Sequence, residues 1–220
     1  MTSFPGSPRL LKGAIVGLDL LNPLASVIPF QYNPDKLSRK ISANASHGNK
    51  SQDLLRLAGP PQETIEADVE FDATDDLEAG SAVATTLGVH PALASLEMLL
   101  YPKSAISIAN EVLAQVGVLE VIPVAAPLTF FIWGVKRVVP VRISSINITE
   151  DAFDTALNPI RATAHLSMDV LTYQDLGLLS VGGAAFMAHQ IIKEAMATIN
   201  GVASIAGAGS VSVGASLSIG

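Results

Sequence analysis

The residues able to do chemistry are few and scattered. Four histidines, His47, His90, His165 and His189, lie far apart in unlike settings. A Ser-His-Asp set is defined by geometry rather than by order along the chain, so spacing alone does not exclude one. No Gly-x-Ser-x-Gly elbow presents a serine, however. His90 stands before Pro91 at the opening of a helix, which suits a cap or a surface position. His165 falls on the polar face of a strand and His189 inside an apolar helix, both structural settings. The absence of cysteine removes thiolate nucleophiles, thiolate zinc sites and disulfides. Oxygen ligands for a hard cation run from Glu63 to Glu78, but strand carboxylates two residues apart sit side by side and repel. A calcium loop turns around a glycine, and none lies between Gly59 and Gly80, which leaves Asp75-Asp76-Leu77-Glu78 as a place for a weak ion at most. No Gly-x-x-x-x-Gly-Lys loop occurs, and no Gly-x-Gly-x-x-Gly follows a strand; Gly182-Gly183 and Gly207-x-Gly209 belong to the tail. The expectation is a protein that is not an enzyme and uses neither cofactor nor metal.

Composition points the same way. Of 220 residues, 49% are hydrophobic and 15% charged, against about 25% charged in an ordinary domain. Such a chain is too apolar for disorder and hides surface, which favours self-association. Thirteen basic and 20 acidic residues give a net charge of −7, and Arg39-Lys40 and Lys136-Arg137 are the adjacent basic pairs, so nucleic acid is not an expected partner. The apolar run after Lys12 is broken by Asp19, too short for a signal-peptide core; assembly in the cytoplasm is therefore expected. Without export, the glycosylation-like Asn44-Ala45-Ser46 and Asn147-Ile148-Thr149 are chance matches. A spanning helix needs about 20 apolar residues. Val121 to Val135 is uncharged but interrupted by Pro123 and Pro127, and Ala195 to Gly220 is uncharged but punctuated by Gly and Ser. Membrane insertion is not expected, although a membrane-associated protein anchored by residues 178–220 is the alternative from another class.

Ile65, Ala67, Val69 and Phe71 alternate with Glu66, Asp68, Glu70 and Asp72, the period of a strand with one buried face. Nine acids and no base lie between Leu57 and Pro102, while the rest of the chain carries 11 acids and 13 bases. A second strand is expected from Ile160 to Leu171, after Pro159, where a missing amide costs least. Leu128 to Thr149 is rich in Val, Ile, Phe and Thr. Its alternation Val139, Val141, Ile143 changes phase to Ile146, Ile148 across Ser144-Ser145, which predicts a bulge. Shorter strands are expected near Lys12–Asp19 and Ser26–Tyr32. Helices are expected over Pro91–Leu100, whose proline suits a first turn, over Ser104–Val116, and over Leu178–Thr198, apolar nearly all round. Residues 42–61 and 73–88 read as polar loops. The division is a flexible arm at 1–10, a β domain at 11–173, and an apolar helical, Gly- and Ser-rich tail at 174–220.

Several blocks resemble a known family. Phe30-Gln31-Tyr32-Asn33-Pro34-Asp35-Lys36-Leu37 resembles an early "F-Q-(F/Y)-N-P-x-x-L" block of the contractile injection system tube-domain family. The strand Glu66–Asp72 resembles the next block, ending in Phe71-Asp72. Pro91-x-Leu93 through Tyr101-Pro102-Lys103 is similar to its short helix. Phe131-Ile132-Trp133-Gly134, and Phe153 with Pro159-Ile160-Arg161-Ala162, resemble its "W-G" and "P-(L/I)-R-A" blocks. The resemblance covers about 11–173. It departs at Asn158, where the family has glycine, and at 174–220, which look unlike the LysM carbohydrate-binding module that ends many members; glycan binding is not carried over.

The elements sum to an α+β, mainly β fold followed by the apolar helical tail, and the resemblance implies that the β domain is a tube-like barrel or sandwich with a short helix. It implies a baseplate or tube-initiating protein of a phage-tail-like particle, of the antifeeding-prophage or Photorhabdus virulence cassette type. Its partners would be copies of itself in a hexameric ring, the inner tube protein, the spike protein and other baseplate components. A tube-end adaptor or cap in the same particle is the alternative. Interface candidates are Phe30, Tyr32, Asn33, Pro34, Phe71, Asp72, Trp133, Gly134, Phe153, Pro159 and Arg161. Glu66, Asp68 and Glu70 face either a wet lumen or outer solvent. Phe130, Phe131 and Trp133 are expected in the core, and Arg161 is expected to pair with Asp154 or Glu150, within or between subunits.

Overall fold

The computed structural model describes residues 11–19, 22–44, 57–115 and 126–207. Its centre is set by the alternation in β4 (Gln62–Asp72), where Ile65, Ala67, Val69 and Phe71 are at most 4% exposed while Glu66, Asp68 and Glu70 stand in solvent. β7 (Pro159–Val170) pairs with it antiparallel and repeats the pattern with Ala162, Ala164, Leu166 and Met168, all fully buried. On the far side of β7 lies β6 (Val138–Phe153), whose register shifts between Ile143 and Ser145, at the expected bulge. The bulge turns Ile146 and Ile148 back toward the core after Ser144 has dropped out of phase; the Ser144 hydroxyl donates to the Ser167 carbonyl at 2.9 Å.

β1 (Ala14–Asp19), β2 (Asn22–Pro29), β3 (Leu37–Ser42) and β5 (Leu128–Ile132) complete a seven-stranded antiparallel sheet in the order β2-β1-β5-β6-β7-β4-β3. The class is α+β and mainly β, as the sequence led us to expect. β2 ends at Pro29 rather than at Tyr32: the Phe30 amide makes a last bond to the Gly13 carbonyl at 2.8 Å, and the Gln31 side chain then turns to the backbone of β4. β2 and β3 are the outermost strands, and among the described residues no strand pairs with their free sides.

The 73–88 segment corrects the loop expectation. It holds α1 (Thr74–Glu78) and α2 (Ala82–Leu87). Polar composition masked them, yet Asp75 and Asp76 suit the positive end of α1 and Ser81 caps α2. The turn after α2 needs Gly88, whose φ of +57° and near contact with the Pro159 carbonyl leave no room for a Cβ. α3 (His90–Glu97) and α4 (Ser104–Gln115) fall where expected. Most of the other expected loop, residues 45–56, lies outside the described residues; at its ends the Ala58 amide donates to the Asn44 carbonyl at 2.8 Å.

After α5 (Tyr173–Leu176), capped by Thr172 and Asp175, α6 runs from Val181 to Gly207, nine residues beyond the expected end at Thr198. One hydrophobic cluster joins the sheet to α2, α3 and α6. It takes in Ile15 and Ile28, the buried faces of β4 and β7, Leu93 and Leu96 of α3, and Phe186 of α6. The expected division at 173/174 falls inside α5, and Phe186 beyond it shares one core with the strands before it. The remaining uncharged tail, residues 208–220, lies outside the described residues.

Candidate assembly interface

Four of the five blocks that carry the family resemblance meet in two clusters, the block Pro91–Lys103 standing apart in α3 and the turn after it. The first is aromatic. Phe30, leaving β2, is fully buried against Phe131 and Trp133, with ring centroids 6.3 and 6.4 Å away; Phe131 and Trp133 stack at 6.0 Å and 11°. Gly13 is required beneath them, since a Cβ there would lie 2.7–2.9 Å from the Phe30 and Trp133 rings. Asn33 ties the N-terminal strand down from the other side: its Oδ1 accepts from the Gly13 amide and its Nδ2 donates to the Leu11 carbonyl, both at 2.8 Å. Gly134 supplies the positive φ of the turn from β5 to β6. Of the residues expected in the core, Phe131 belongs to the main cluster with the half-buried Trp133 packed against it, while Phe130 is buried but outside that cluster.

The second cluster is polar and centres on Asp72. The Gln31 side-chain amide pairs with the Asp72 backbone as a strand would: Oε1 accepts from the amide at 2.7 Å and Nε2 donates to the carbonyl. This side chain ties the end of β2 to β4, across the sheet. The Asp72 carboxylate accepts from the Thr74 amide at 2.8 Å and from Arg161 Nε and Nη2 at 3.0 and 2.8 Å. Partial burial pushes this carboxyl up, but the Thr74 hydrogen bonds and then the Arg161 guanidinium outweigh it and hold it below the usual range. Arg161 is raised by the same pair.

The expected partners of Arg161, Asp154 and Glu150, are corrected. Register sets Arg161 directly between Asp72 on β4 and Asp151 on β6, whereas Glu150 lies opposite Ala162, on the other face. Asp154 is used by its own hairpin, accepting from the Ala156 and Asn158 amides and from Asn158 Nδ2. The ion pair is thus within one chain. Asn158 Nδ2 also reaches the Thr86 carbonyl at 3.1 Å, and the buried Pro159 accepts from the Val89 amide. The candidates therefore divide. Phe30, Phe71 and Pro159 are buried and Asp72, Pro34, Trp133 and Gly134 half-buried, while Tyr32, Asn33, Phe153 and Arg161 stand exposed.

The sheet's second face is polar in every cross-strand row of β6, β7 and β4. From one end these are Asp151–Arg161–Asp72, Thr149–Thr163–Glu70, Asn147–His165–Asp68, Ser145–Ser167–Glu66 and Arg142–Asp169–Thr64. His165 Nδ1 lies 2.6 Å from Asp68 Oδ1, and this pair is open to solvent on both sides. Among the described residues no cluster of His, Asp and Glu is placed to hold a metal ion, and no helix is long and apolar enough to cross a membrane.

Sequence reading missed a charged cluster on the opposite face. Glu63 shares the phase of Ile65 and Ala67 and is 7% exposed, with Arg39 of β3 on one carboxylate oxygen and Lys193 of α6, at 3.2 Å, on the other. Burial would raise this carboxyl, yet the Arg39 hydrogen bond and the Lys193 charge hold it below its usual range. The signal was available in the odd numbering that Glu63 shares with the apolar side of β4. Also unanticipated is the run of α6 past Lys193, where every residue from Glu194 to Ser204 is exposed, including Met196, Ile199 and Val202.

No family model matches the chain, and no curated protein sequence matches it. Among solved structures, it is similar to a chain in the tail of an empty gene transfer agent particle determined with C6 symmetry. The identity is 16%, over 72% of this chain and 90% of that one, with a TM-score of 0.32. A chain of the native gene transfer agent virion aligns at 17% identity over the same shares, with a TM-score of 0.31. Likeness at this level defines neither the fold nor the role, which rest on the residues above.

Proposed function

We propose that this protein is a non-enzymatic ring component of a phage-tail-like contractile particle, which joins spike to inner tube and templates tube growth. The observation that carries the reading is the convergence of the family-like blocks. Gln31 of the first block binds the backbone of Asp72 of the second, Asp72 binds Arg161 of the last, and Phe30 packs on Trp133. Blocks that matched by chance would have no reason to be mutual partners.

The architecture suits the role. Free sides on β2 and β3 leave backbone donors and acceptors for another strand, and a ring removes such edges by pairing them between neighbours. Head-to-tail contact of unlike edges closes a ring when the rotation per subunit divides a full turn. The polar rows bearing Glu66, Asp68 and Glu70 line the channel in this reading, giving a wetted wall from which cargo slides rather than sticks. Assembly takes place in the cytoplasm.

Electron microscopy of the protein co-expressed with a spike trimer and a tube protein tests the proposal. Rings with sixfold symmetry seated on the spike are expected. Unassembled monomers beside intact spike–tube complexes would overturn it.

A further inference from the structure

α6 docks on the sheet through a stripe that changes character along its length. Gly182, Gly183 and Phe186 form the apolar end, with Phe186 against Tyr173 at 6.1 Å. One and two turns later the stripe consists of His189 and Lys193, the last docked positions before the helix becomes fully exposed. His189 is 5% exposed, and its Nδ1 lies 3.2 Å from the Lys136 carbonyl. A carbonyl only accepts, so Nδ1 is the nitrogen that carries a proton here.

The charges around it are unbalanced. On its own helix stands Lys193; the β5–β6 turn brings Arg137; β3 brings Arg39; and β4 brings Glu63, the one carboxylate among them. Three cations, Lys193 and Arg39 among them reaching solvent, thus share a single anion, and a protonated His189 would add a fourth cation at a buried position. We infer that this cluster is an acid-released latch: α6 is docked while His189 is neutral and Glu63 ionised, and it lifts from the sheet as the medium acidifies.

Burial, and then the Lys193 charge, hold His189 below its ordinary value of 6.5. On the released helix it returns to that value. The sign follows: docking is at full strength above about 6.5 and weakens as pH falls toward the docked value. Protonation of Glu63 at lower pH removes the remaining anchor of Lys193 and acts in the same direction. The freed segment would be the longest described helix of the chain, uncharged from Ala195 onward. The latch belongs to the single chain and stands independently of the ring proposal.

Hydrogen exchange on the full chain at pH 7.5, 6.5 and 5.5 tests it, with protection factors read separately for residues 183–193 and for β7. In that window α6 protection is expected to fall by about tenfold per pH unit below 6.5 until the docked value is reached, with β7 unchanged. His189→Asn keeps a donor for the Lys136 carbonyl and cannot be protonated there, so its α6 protection should be flat. Arg137→Gln keeps His189 but removes a neighbouring cation, so its fall should end at a higher pH than in the wild type. Flat protection in the wild type, or an undiminished fall in His189→Asn, would overturn the latch.

Discussion

Replacing Gln31 examines the bond that ties the end of β2 to β4. Gln31→Ala removes two hydrogen bonds and leaves the Asp72 amide and carbonyl without their partners. Each such bond contributes roughly 0.5–1.5 kcal/mol net, and an unmatched, partly buried amide costs about as much again. A loss of about 2 kcal/mol is expected, or about 4–8 °C in Tm for a chain of this size. Gln31→Glu is nearly isosteric but sets an acceptor against the Asp72 carbonyl, so about 3 kcal/mol is expected near neutral pH. Protonation restores a donor at that oxygen. The carboxyl of Gln31→Glu is then raised in the folded state, and its penalty should shrink as pH falls through that value. Urea unfolding of wild type and both variants at pH 7.5 and pH 4.5 reads all three effects, with the wild type as reference at each pH. A Gln31→Ala loss below about 0.5 kcal/mol, or a Gln31→Glu penalty that does not shrink in acid, would refute the reasoning that Gln31 closes the sheet through the Asp72 backbone.

Phe131→Ala empties the centre of the aromatic cluster and should cost about 3–5 kcal/mol by chemical denaturation; a loss under 1 kcal/mol would show that Phe30 and Trp133 collapse onto the space. Arg161→Glu puts a third carboxylate between Asp72 and Asp151, so it should lower the urea midpoint of the monomer as well as disturb assembly; an unchanged midpoint would contradict the intrachain pairing. Because Asp72 is held below its usual range, its contribution is present at neutral pH and lost as pH falls through its lowered value; the acid sensitivity of Asp72→Asn should therefore be smaller than that of wild type in parallel urea titrations. Truncation before Ala195 should leave monomer stability within about 0.5 kcal/mol, while truncation before Leu178 removes Phe186 from the core and should cost several-fold more, read in the same unfolding assay.

Most of the sheet was legible because its strands are long and one-sided. The period of two over Ile65–Phe71 and Ala162–Met168 fixes which face is buried, and the phase change at Ser144-Ser145 marks the bulge. α1 and α2 were not legible, since helices of five and six residues are too short to show a period and their Thr, Asp and Ser residues read equally as turn. The end of α6 lies beyond the expected Thr198 because Gly and Ser punctuate the sequence from Ala195 on, whereas the helix runs through Gly201 and Ser204. The site divided in the same way. The motif residues were marked by the resemblance, but which contact which depends on register, so Arg161 was assigned to carboxylates near in sequence rather than to Asp72, 89 positions away. Glu63 was read as one more member of an acidic run, although its parity sets it among the buried residues.

The most direct test of the ring is the mass of the purified protein by native mass spectrometry, alone and with a co-expressed spike protein. The account predicts a hexamer, or six copies bound to a spike trimer. A monomer that ignores the spike at every concentration, and instead partitions onto liposomes, would contradict it.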